Sequence, residues 1–305
     1  MAAAVASVAA QTMSDLEIVV VVDGSDHETE AVLAAIDEPR MRVVVAAEHE
    51  GGAAARNAGV REARGSFVAL LDDDDLWLPT KLERQLQAVD ASGVVEPLAF
   101  CARSVRLPDG RDIAWHDRPP LPGEHTSEYL FVRRSMRLGE STVSTSTIIA
   151  RRSLFAAVPF DPGLSRFDDA DWVLRATAAG ATLVYSPERL SIWRAPLDGA
   201  SITARTDADW RYGLAWIRAR RDIVTPRAYA AFLLVRVAAM AERAGEPGAA
   251  RLLWREARRH GRPGVLEVVL FAGRWLVPDR VRMALRSRLA AARVDDAGAA
   301  DQGLS

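Results

Sequence analysis

The feature that most constrains this fold is an alternation of apolar runs with segments of helical spacing in the first hundred residues. The apolar runs are Leu16–Val22, Met41–Ala46 and Phe67–Leu71, and the helical segments are 28–36, 52–63 and 79–89. An unbroken run rich in β-branched residues suits a strand that is covered on both faces. The alternation therefore predicts an α/β fold with a doubly wound, mostly parallel, Rossmann-like sheet that binds ligands at the carboxyl ends of its strands.

Acidic turns follow two of these runs. Asp23 comes directly after the first run, and four consecutive aspartates, Asp72 to Asp75, come directly after the third. Adjacent carboxylates repel one another, so a fold accepts them readily when a cation or a metal-bound phosphate offsets their charge. From charge alone, a solvated acidic turn explains the same residues equally well.

Composition limits the class of protein. The chain has 305 residues, of which 49% are hydrophobic, enough for one large domain or two smaller ones. Its one cysteine, Cys101, cannot form an internal disulfide, which fits a reducing cytosol. The apolar N-terminus lacks a basic start, and no stretch reaches about 18 uncharged apolar residues. We therefore expect a cytoplasmic protein without a membrane-spanning helix.

The C-terminal part is basic. Between Arg205 and Val294 there are 19 arginines, no lysine and eight acidic residues, while the rest of the chain is acidic. Attraction to phospholipid, nucleic acid or a sugar-diphosphate carrier explains this asymmetry, and so do solvated helix faces. Trp254 and Trp275 suit peripheral contact with the inner face of a membrane, and they suit a core between helices slightly better. We predict a first domain over 1–204, a basic helical appendage over 205–293 and a disordered tail over 294–305.

Several segments, taken together, resemble a known family. They are Val19–Ser25, Ala55–Gly59, Gly65–Pro79 and Lys81–Glu83. In this order and at this spacing they resemble family-2 glycosyltransferases of the GT-A fold, and the resemblance covers most of residues 5 to 200. It implies an inverting enzyme that uses a nucleoside-diphosphate sugar as donor and a saccharide or lipid-linked acceptor, as in cell-wall or polysaccharide biosynthesis. No nucleic-acid partner is expected.

The resemblance also implies roles for the residues of the two acidic turns. Asp23 would contact the nucleotide base, although Val22 stands where the family more often has a first aspartate. Asp72, Asp73 and Asp74 form the DxD motif, in which Asp72 and Asp73 face the donor and Asp74 holds Mg²⁺ or Mn²⁺. Hard oxygen ligands of this kind suit either ion. Arg56 would reach the donor, and an exposed helix arginine is nearly as good an interpretation.

Two further segments carry candidate residues. The segment 160–175 resembles the one that supplies the family's catalytic base, here Asp169. The alternative is that Asp168 or Asp169 caps the helix that follows, and both roles can hold at once. Ala170 stands where the family commonly has a tryptophan. Arg194 is the candidate for a diphosphate contact, because the histidine often found nearby is missing, although it could simply cap the acidic face of the sheet.

The start of the chain departs from the family pattern. The segment 6–12 matches the end of the family's first helix, and the first strand is lacking. In this fold that strand lies inside the sheet, so we expect a natural protein longer by about 20 to 25 residues. Two alternatives follow from this and from the shared α/β fold: an inactive or non-catalytic nucleotide-sugar-binding module, and a nucleotidyltransferase. No basic glycine-rich loop follows the first run, which counts against the latter.

Overall fold

The computed structural model describes residues 1–115, 118–135, 141–194 and 209–277. The chain divides into two compact units: Met1–Arg205 with Arg220–Thr225, and Thr206–Ala219 with Pro226–Ser305. The boundary at 204/205 stays a prediction, because 195–208 lie outside the described residues. The helix predicted at 278–292 and the tail at 294–305 also lie outside them.

The first half of the first unit alternates strands and helices as predicted. Its elements are α1 (Ala2–Ala9), β1 (Ile18–Val22), α2 (His27–Ala34), β2 (Met41–Val45), α3 (Gly52–Glu62), β3 (Phe67–Ala69), β4 (Leu76–Trp77) and α4 (Lys81–Ser92). Asp26 caps α2 by accepting hydrogen bonds from the backbone N–H groups of Glu28 and Thr29.

The second half of the unit is less regular. Its elements are β5 (Pro97–Arg106), β6 (Asp112–Ala114), α5 (Thr126–Phe131), a 3-10 turn (Thr145–Thr147), β7 (Ile149–Arg151), α6 (Arg152–Ala157), α7 (Asp168–Ala178) and β8 (Thr182–Arg194). A 3-10 turn over Thr145–Thr147 thus precedes β7. The reason is local: both the backbone N–H and the hydroxyl of Thr147 donate to the carbonyl of Ser144, which competes with strand pairing.

The strands form two sheets. β1 and β2 pair in parallel, and a larger sheet has the order β3-β7-β5-β8-β4, with β6 on the side of β5. In the larger sheet only β5 and β8 pair in parallel; its other pairings are antiparallel. The expectation of a mostly parallel sheet is thus wrong for the described pairings. The expectation was based on the alternation of strands and helices from β1 to β3, which is typical of parallel strands. The later strands are joined by connections that this alternation does not describe.

One hydrophobic core lies under both sheets. Val5 and Val8 of α1, Val20 of β1 and Trp77 of β4 belong to the same buried cluster, against which Phe67 of β3 packs. Among the described residues β1 pairs only with β2 and β3 only with β7, so no strand joins the two sheets. The shared core instead fixes the carboxyl ends of β1 and β3 relative to each other.

The second unit is helical. Its helices are α8 (Trp210–Arg218), α9 (Pro226–Ala231), α10 (Ala238–Arg243), α11 (Pro247–His260) and α12 (Val265–Leu276), with a π-helical turn (Phe232–Val237) between α9 and α10. The turn after α11 packs closely, since a Cβ on Gly261 would lie 2.8 Å from the carbonyl oxygen of Pro226. None of the helices within the described ranges is long and apolar enough to cross a bilayer.

Candidate active site

The acidic turn Asp72–Asp75 connects β3 to β4. The N–H of Asp75 donates to the carbonyl of Asp72 at 3.2 Å, which closes the turn. The side chains of Asp73 and Asp74 are exposed, whereas Asp75 is buried. β4 pairs with the end of β8, with Leu76 opposite Ile192. This pairing brings Arg194, predicted from the sequence, next to the turn.

Burial controls the protonation of two carboxyls in this turn. Asp75 is 4% exposed, and its Oδ1 atom has no hydrogen-bond partner. Burial raises the pKa of Asp75 to about 7, assisted by the charges of Asp72 and Asp74 and opposed by hydrogen bonds from Ser146 and the backbone of Arg194. Burial also raises the pKa of Asp74, and neighbouring carboxylates add to the effect. The turn therefore holds more negative charge than its surroundings compensate.

Ser146 supports the turn and was not identified from the sequence. Its hydroxyl accepts a hydrogen bond from the N–H of Asp72 at 3.1 Å and also bonds the carboxyl of Asp75. Its carbonyl accepts from Nε1 of Trp77 at 2.8 Å. Ser146 is fully buried in the 3-10 turn before β7. No local sequence signal distinguishes it within a serine- and threonine-rich stretch, because its partners lie about 70 residues away in the chain.

Arg56 of α3 joins the acidic turn to the start of α7. Its Nη2 lies 2.9 Å from the carboxylate of Asp72, and its Nη1 lies 2.5 Å from that of Asp168. The guanidinium also lies over the ring of Phe160, 5.5 Å from the centroid. Burial alone would lower the pKa of Arg56, but the two carboxylates raise it, so the side chain stays charged. The sequence prediction that Arg56 contacts the donor remains a prediction.

The start of α7 positions Asp169. Asp168 and Asp169 are the first two residues of α7, and the residue before them, Phe167, has a left-handed φ of 64°. Neither aspartate occupies the N-cap position, which is Phe167, although Oδ1 of Asp169 accepts a hydrogen bond from the first-turn N–H of Ala170 at 2.6 Å. Both carboxylates instead lie in the first turn, where the helix dipole favours negative charge. Trp172 fixes the helix by donating from Nε1 to the carbonyl of Val158 at 2.7 Å.

Asp23 organises the loop that leads into α3. Its carboxylate accepts hydrogen bonds from the N–H groups of Glu50 and Gly51 at 2.8 and 2.7 Å, and Nδ1 of His49 lies 2.9 Å from it. Gly24 follows with a positive φ of 86°, in close approach to His49. Asp23 thus fixes the beginning of the helix that carries Arg56. Its predicted contact with a nucleotide base remains a prediction.

The structure brings the predicted residues together through two links. Arg56 connects Asp72 to the aspartate pair that opens α7, and strand pairing places Arg194 beside Asp74 and Asp75. Within the described ranges, no three His, Cys, Asp or Glu side chains converge as a metal cage. A diphosphate-bound metal needs only one or two protein carboxylates, because phosphates and water supply its other ligands.

Comparison with known proteins identifies relatives of the chain. Residues 1–158 match the model of glycosyl transferase family 2. The succinoglycan biosynthesis protein ExoO of Rhizobium meliloti is 35% identical over 42% of this chain, and the match spans only 38% of ExoO. The amylovoran biosynthesis glycosyltransferase AmsB of Erwinia amylovora is 27% identical over 69% of this chain and 72% of its own length.

A solved structure shares the fold. The mannosyltransferase PcManGT of Pyrobaculum calidifontis, solved in complex with GDP-Man and Mn²⁺, aligns with a TM-score of 0.54 at 18% identity. The alignment covers 95% of this chain and 81% of PcManGT. The GT-A-type α/β fold expected from the sequence is thereby confirmed.

Proposed function

Because the chain belongs to glycosyltransferase family 2, we propose that it is an enzyme that transfers a sugar from a nucleoside-diphosphate sugar to an acceptor hydroxyl, with inversion at the anomeric carbon. The observation that carries this proposal is the link made by Arg56. It joins the acidic turn, proposed to face the donor, to the aspartate pair that opens α7, proposed to face the acceptor. One partly buried cation thus holds together the proposed donor side and the proposed acceptor side of the reaction.

The donor would lie along the acidic turn. Asp72 and Asp73 face the nucleoside end of the donor, Asp23 the base, and Arg194 the diphosphate. The raised pKa of Asp74 and the charge left uncompensated in the turn favour a bound cation. PcManGT, which shares the fold, was solved with a nucleotide sugar and Mn²⁺, and this supports the same class of donor.

Asp74 would hold a divalent metal, Mg²⁺ or Mn²⁺. When bound, the ion would neutralise the negative charge that develops on the departing nucleoside diphosphate. The residues present fit this role, because Asp74 is exposed at the turn and the neighbouring Asp75 keeps one buried carboxyl oxygen without a partner. Asp75 would support the site from behind by hydrogen bonding rather than by direct ligation.

Asp169 would act as the general base. Its carboxylate takes the proton of the acceptor hydroxyl while that oxygen attacks the anomeric carbon, and the bond from this carbon to the diphosphate oxygen breaks. Attack on the face opposite the diphosphate inverts the configuration. The ion pair with Arg56 ties Asp168, and with it the start of α7 that carries Asp169, to the acidic turn. ExoO and AmsB take part in polysaccharide biosynthesis by their names, which supports a saccharide acceptor, free or lipid-linked.

The donor proposal is tested by thermal shift with nucleoside diphosphates, with and without Mn²⁺. A ligand at about 100 times its dissociation constant adds ~2.7 kcal/mol to stability. We expect such a gain for one nucleotide only when Mn²⁺ is present, and its loss in Asp74→Ala. Asp109→Ala is the matched control, since Asp109 is a half-exposed carboxylate of the turn between β5 and β6 to which the proposal assigns no contact with the donor. If Asp74→Ala keeps the Mn²⁺-dependent gain, Asp74 is not the metal ligand.

The base is tested separately by Asp169→Asn. We expect this variant to bind donor as the parent does and to lose about 10²- to 10⁴-fold in transfer rate. Asp161→Asn, in the segment before α7, should keep the parental rate, because its side chain serves the local turn: it accepts a bond from the N–H of Gly163 and makes a long ion pair of 3.9 Å with Arg220. Equal rates for Asp169→Asn and the parent would remove Asp169 as the base. Donor binding without any transfer by the parent would instead indicate a non-catalytic module.

A further inference from the structure

The helical unit carries an exposed apolar stripe on α12. Val265, Val269 and Leu276 are 83%, 56% and 80% exposed. Their spacing of four and seven residues places all three on one face of the helix. The opposite face is anchored in the unit through Glu267 and Phe271, which are buried. An apolar stripe of this kind on an otherwise amphipathic helix indicates a surface that is covered in use.

The neighbouring helix α11 presents an exposed basic face. Arg251, Arg255, Arg258 and Arg259 are all exposed along it. A groove of about 320 Å³ runs along this face and is lined by Arg251, Arg255, Arg259 and the half-exposed Leu252, among others. The groove therefore combines three guanidinium groups with the apolar side chain of Leu252, and Glu256, which pairs with Arg218, also lines it.

The described part of the unit does not neutralise these arginines. Each glutamate of the described part of the unit already pairs with another arginine, the pairs being Glu242–Arg274, Glu246–Arg211, Glu256–Arg218 and Glu267–Arg227. Within the described residues no carboxylate lies within salt-bridge distance of Arg251, Arg255 or Arg259. Among the described residues, the positive charge of these three arginines is therefore exposed and not compensated by an ion pair.

An aromatic contact joins the two helices. Trp254 of α11 stacks on Phe271 of α12 with 6.0 Å between ring centroids, and Phe271 contacts Trp275 at 6.3 Å. The guanidinium of Arg258 lies over Trp254. Both helices also pack on the π-helical turn Phe232–Val237, and the basic face of α11 and the apolar stripe of α12 each lie opposite the buried residues of their own helix, so both point away from this shared element. Trp254 and Trp275, the two tryptophans noted in the sequence, thus contribute to the contact between the two helices. The exposed surfaces are formed by other residues of α11 and α12.

We propose that the basic face of α11 and the apolar stripe of α12 together dock the protein on an anionic phospholipid surface. The arginines would lie among the lipid phosphates, while Val265, Val269 and Leu276 would enter the boundary between headgroups and acyl chains. The pairing of uncompensated positive charge with exposed apolar side chains selects an anionic bilayer, because a purely electrostatic partner would leave the stripe in water. This goes beyond sugar transfer and does not depend on it.

The test is co-sedimentation of the full chain with vesicles of phosphatidylcholine alone or of equal parts phosphatidylcholine and phosphatidylglycerol. We expect binding to the anionic vesicles only, weakened by added salt. Arg251→Gln with Arg255→Gln should weaken binding about 30-fold, as ~1 kcal/mol per arginine implies. Val269→Ser with Leu276→Ser should weaken it at least about tenfold, as expected for apolar side chains returned to water.

Matched variants identify the surface. Arg64→Gln with Arg111→Gln removes the same charge from exposed sites of the other unit, and Val95→Ser removes an exposed valine there. Both should bind vesicles as the parent does. Asp74→Ala should also bind vesicles as the parent does. The docking proposal can therefore be tested independently of the proposed sugar transfer.

Three results would overturn the docking proposal. The first is equal binding to both kinds of vesicle, or none to either. The second is the same loss in the Arg251/Arg255 and Arg64/Arg111 variants. The third is a change of molar mass by light scattering in Val269→Ser with Leu276→Ser, with vesicle binding kept, because the stripe would then serve contact between copies of the chain. Thermal melting of each variant checks that these exposed substitutions leave the fold intact.

Discussion

Lys81, the only lysine of the chain, is completely buried beside the candidate active site. Its ammonium nitrogen lies 4.1 Å from the ring centroid of Trp77 and has no hydrogen-bond partner. Burial lowers the pKa of Lys81 from 10.5 to about 8, against a smaller opposing effect of Cys101. The buried charge therefore lowers the free energy of unfolding, and we predict that Lys81→Met stabilises the protein near neutral pH.

The magnitude follows from the pKa values in the two states. One pKa unit corresponds to about 1.4 kcal/mol, so a folded pKa of about 8 against 10.5 unfolded corresponds to roughly 3 kcal/mol of destabilisation by the charge. The cation–π contact with Trp77 offsets up to about 2 kcal/mol of this destabilisation. Methionine fills a similar volume without charge. We expect a net gain of ~1 kcal/mol in the free energy of unfolding.

The pH dependence gives the signature of this effect. Between about pH 8 and pH 10.5 the unfolded state keeps the proton that the folded state has lost, so the stability of the parent rises with pH through this window. Below pH 8 both states are charged and the full cost is present. The advantage of Lys81→Met should therefore be constant below about pH 8 and shrink as the pH rises toward 10.5.

Urea unfolding followed by tryptophan fluorescence, at several pH values across this window, measures the effect. Lys81→Arg is the control: it keeps a charge at every pH tested, so its difference from Lys81→Met should not shrink. A variant Lys81→Met that is less stable than the parent near neutral pH would refute the reasoning. So would a gain from Lys81→Met that does not change between pH 8 and pH 10.5.

Two further predictions concern the residues around the acidic turn. Ser146→Ala removes a hydrogen bond that favours the charged form of Asp75, so the pKa of Asp75 in the metal-free protein should rise above about 7. Titration of the Asp75 carboxyl carbon by NMR measures this pKa, and a titration that shows no rise would contradict the prediction. Arg56→Lys keeps the charge but cannot reach Asp72 and Asp168 together, so one charged hydrogen bond worth ~1.5–3 kcal/mol is lost. We therefore expect kcat/KM to fall about 10- to 100-fold. An unchanged kcat/KM would show that the bridge between the two aspartates is dispensable.

The sequence by itself determined the local elements of the first hundred residues. Each apolar run from Leu16 to Leu71 forms a strand within two residues of its expected ends, and the intervening segments form α2, α3 and α4. These elements follow from periodicity and from turn residues, which act over a few neighbours. The acidic turn was visible for the same reason, because Asp72 to Asp75 directly follow a strand.

Only the tertiary structure decided which distant groups meet. The direction of β4, β7 and β8 depends on pairings between residues far apart in the chain, so the mostly parallel sheet inferred from the first crossovers was wrong for the larger sheet. Ser146 reaches the acidic turn across about 70 residues, and Arg56 reaches Asp168 across more than 100. Such contacts are set by packing of the shared core. The local pattern of neighbouring residues therefore does not predict these long-range contacts.

The same division holds in the helical unit. The sequence showed an excess of arginine and the helical spacing of 248–260 and 265–275. It could not show which arginines are neutralised, because Glu242, Glu246 and Glu256 select their partners from other helices. Composition fixes how much charge a unit carries, whereas the packing of its helices decides which part of that charge faces outward.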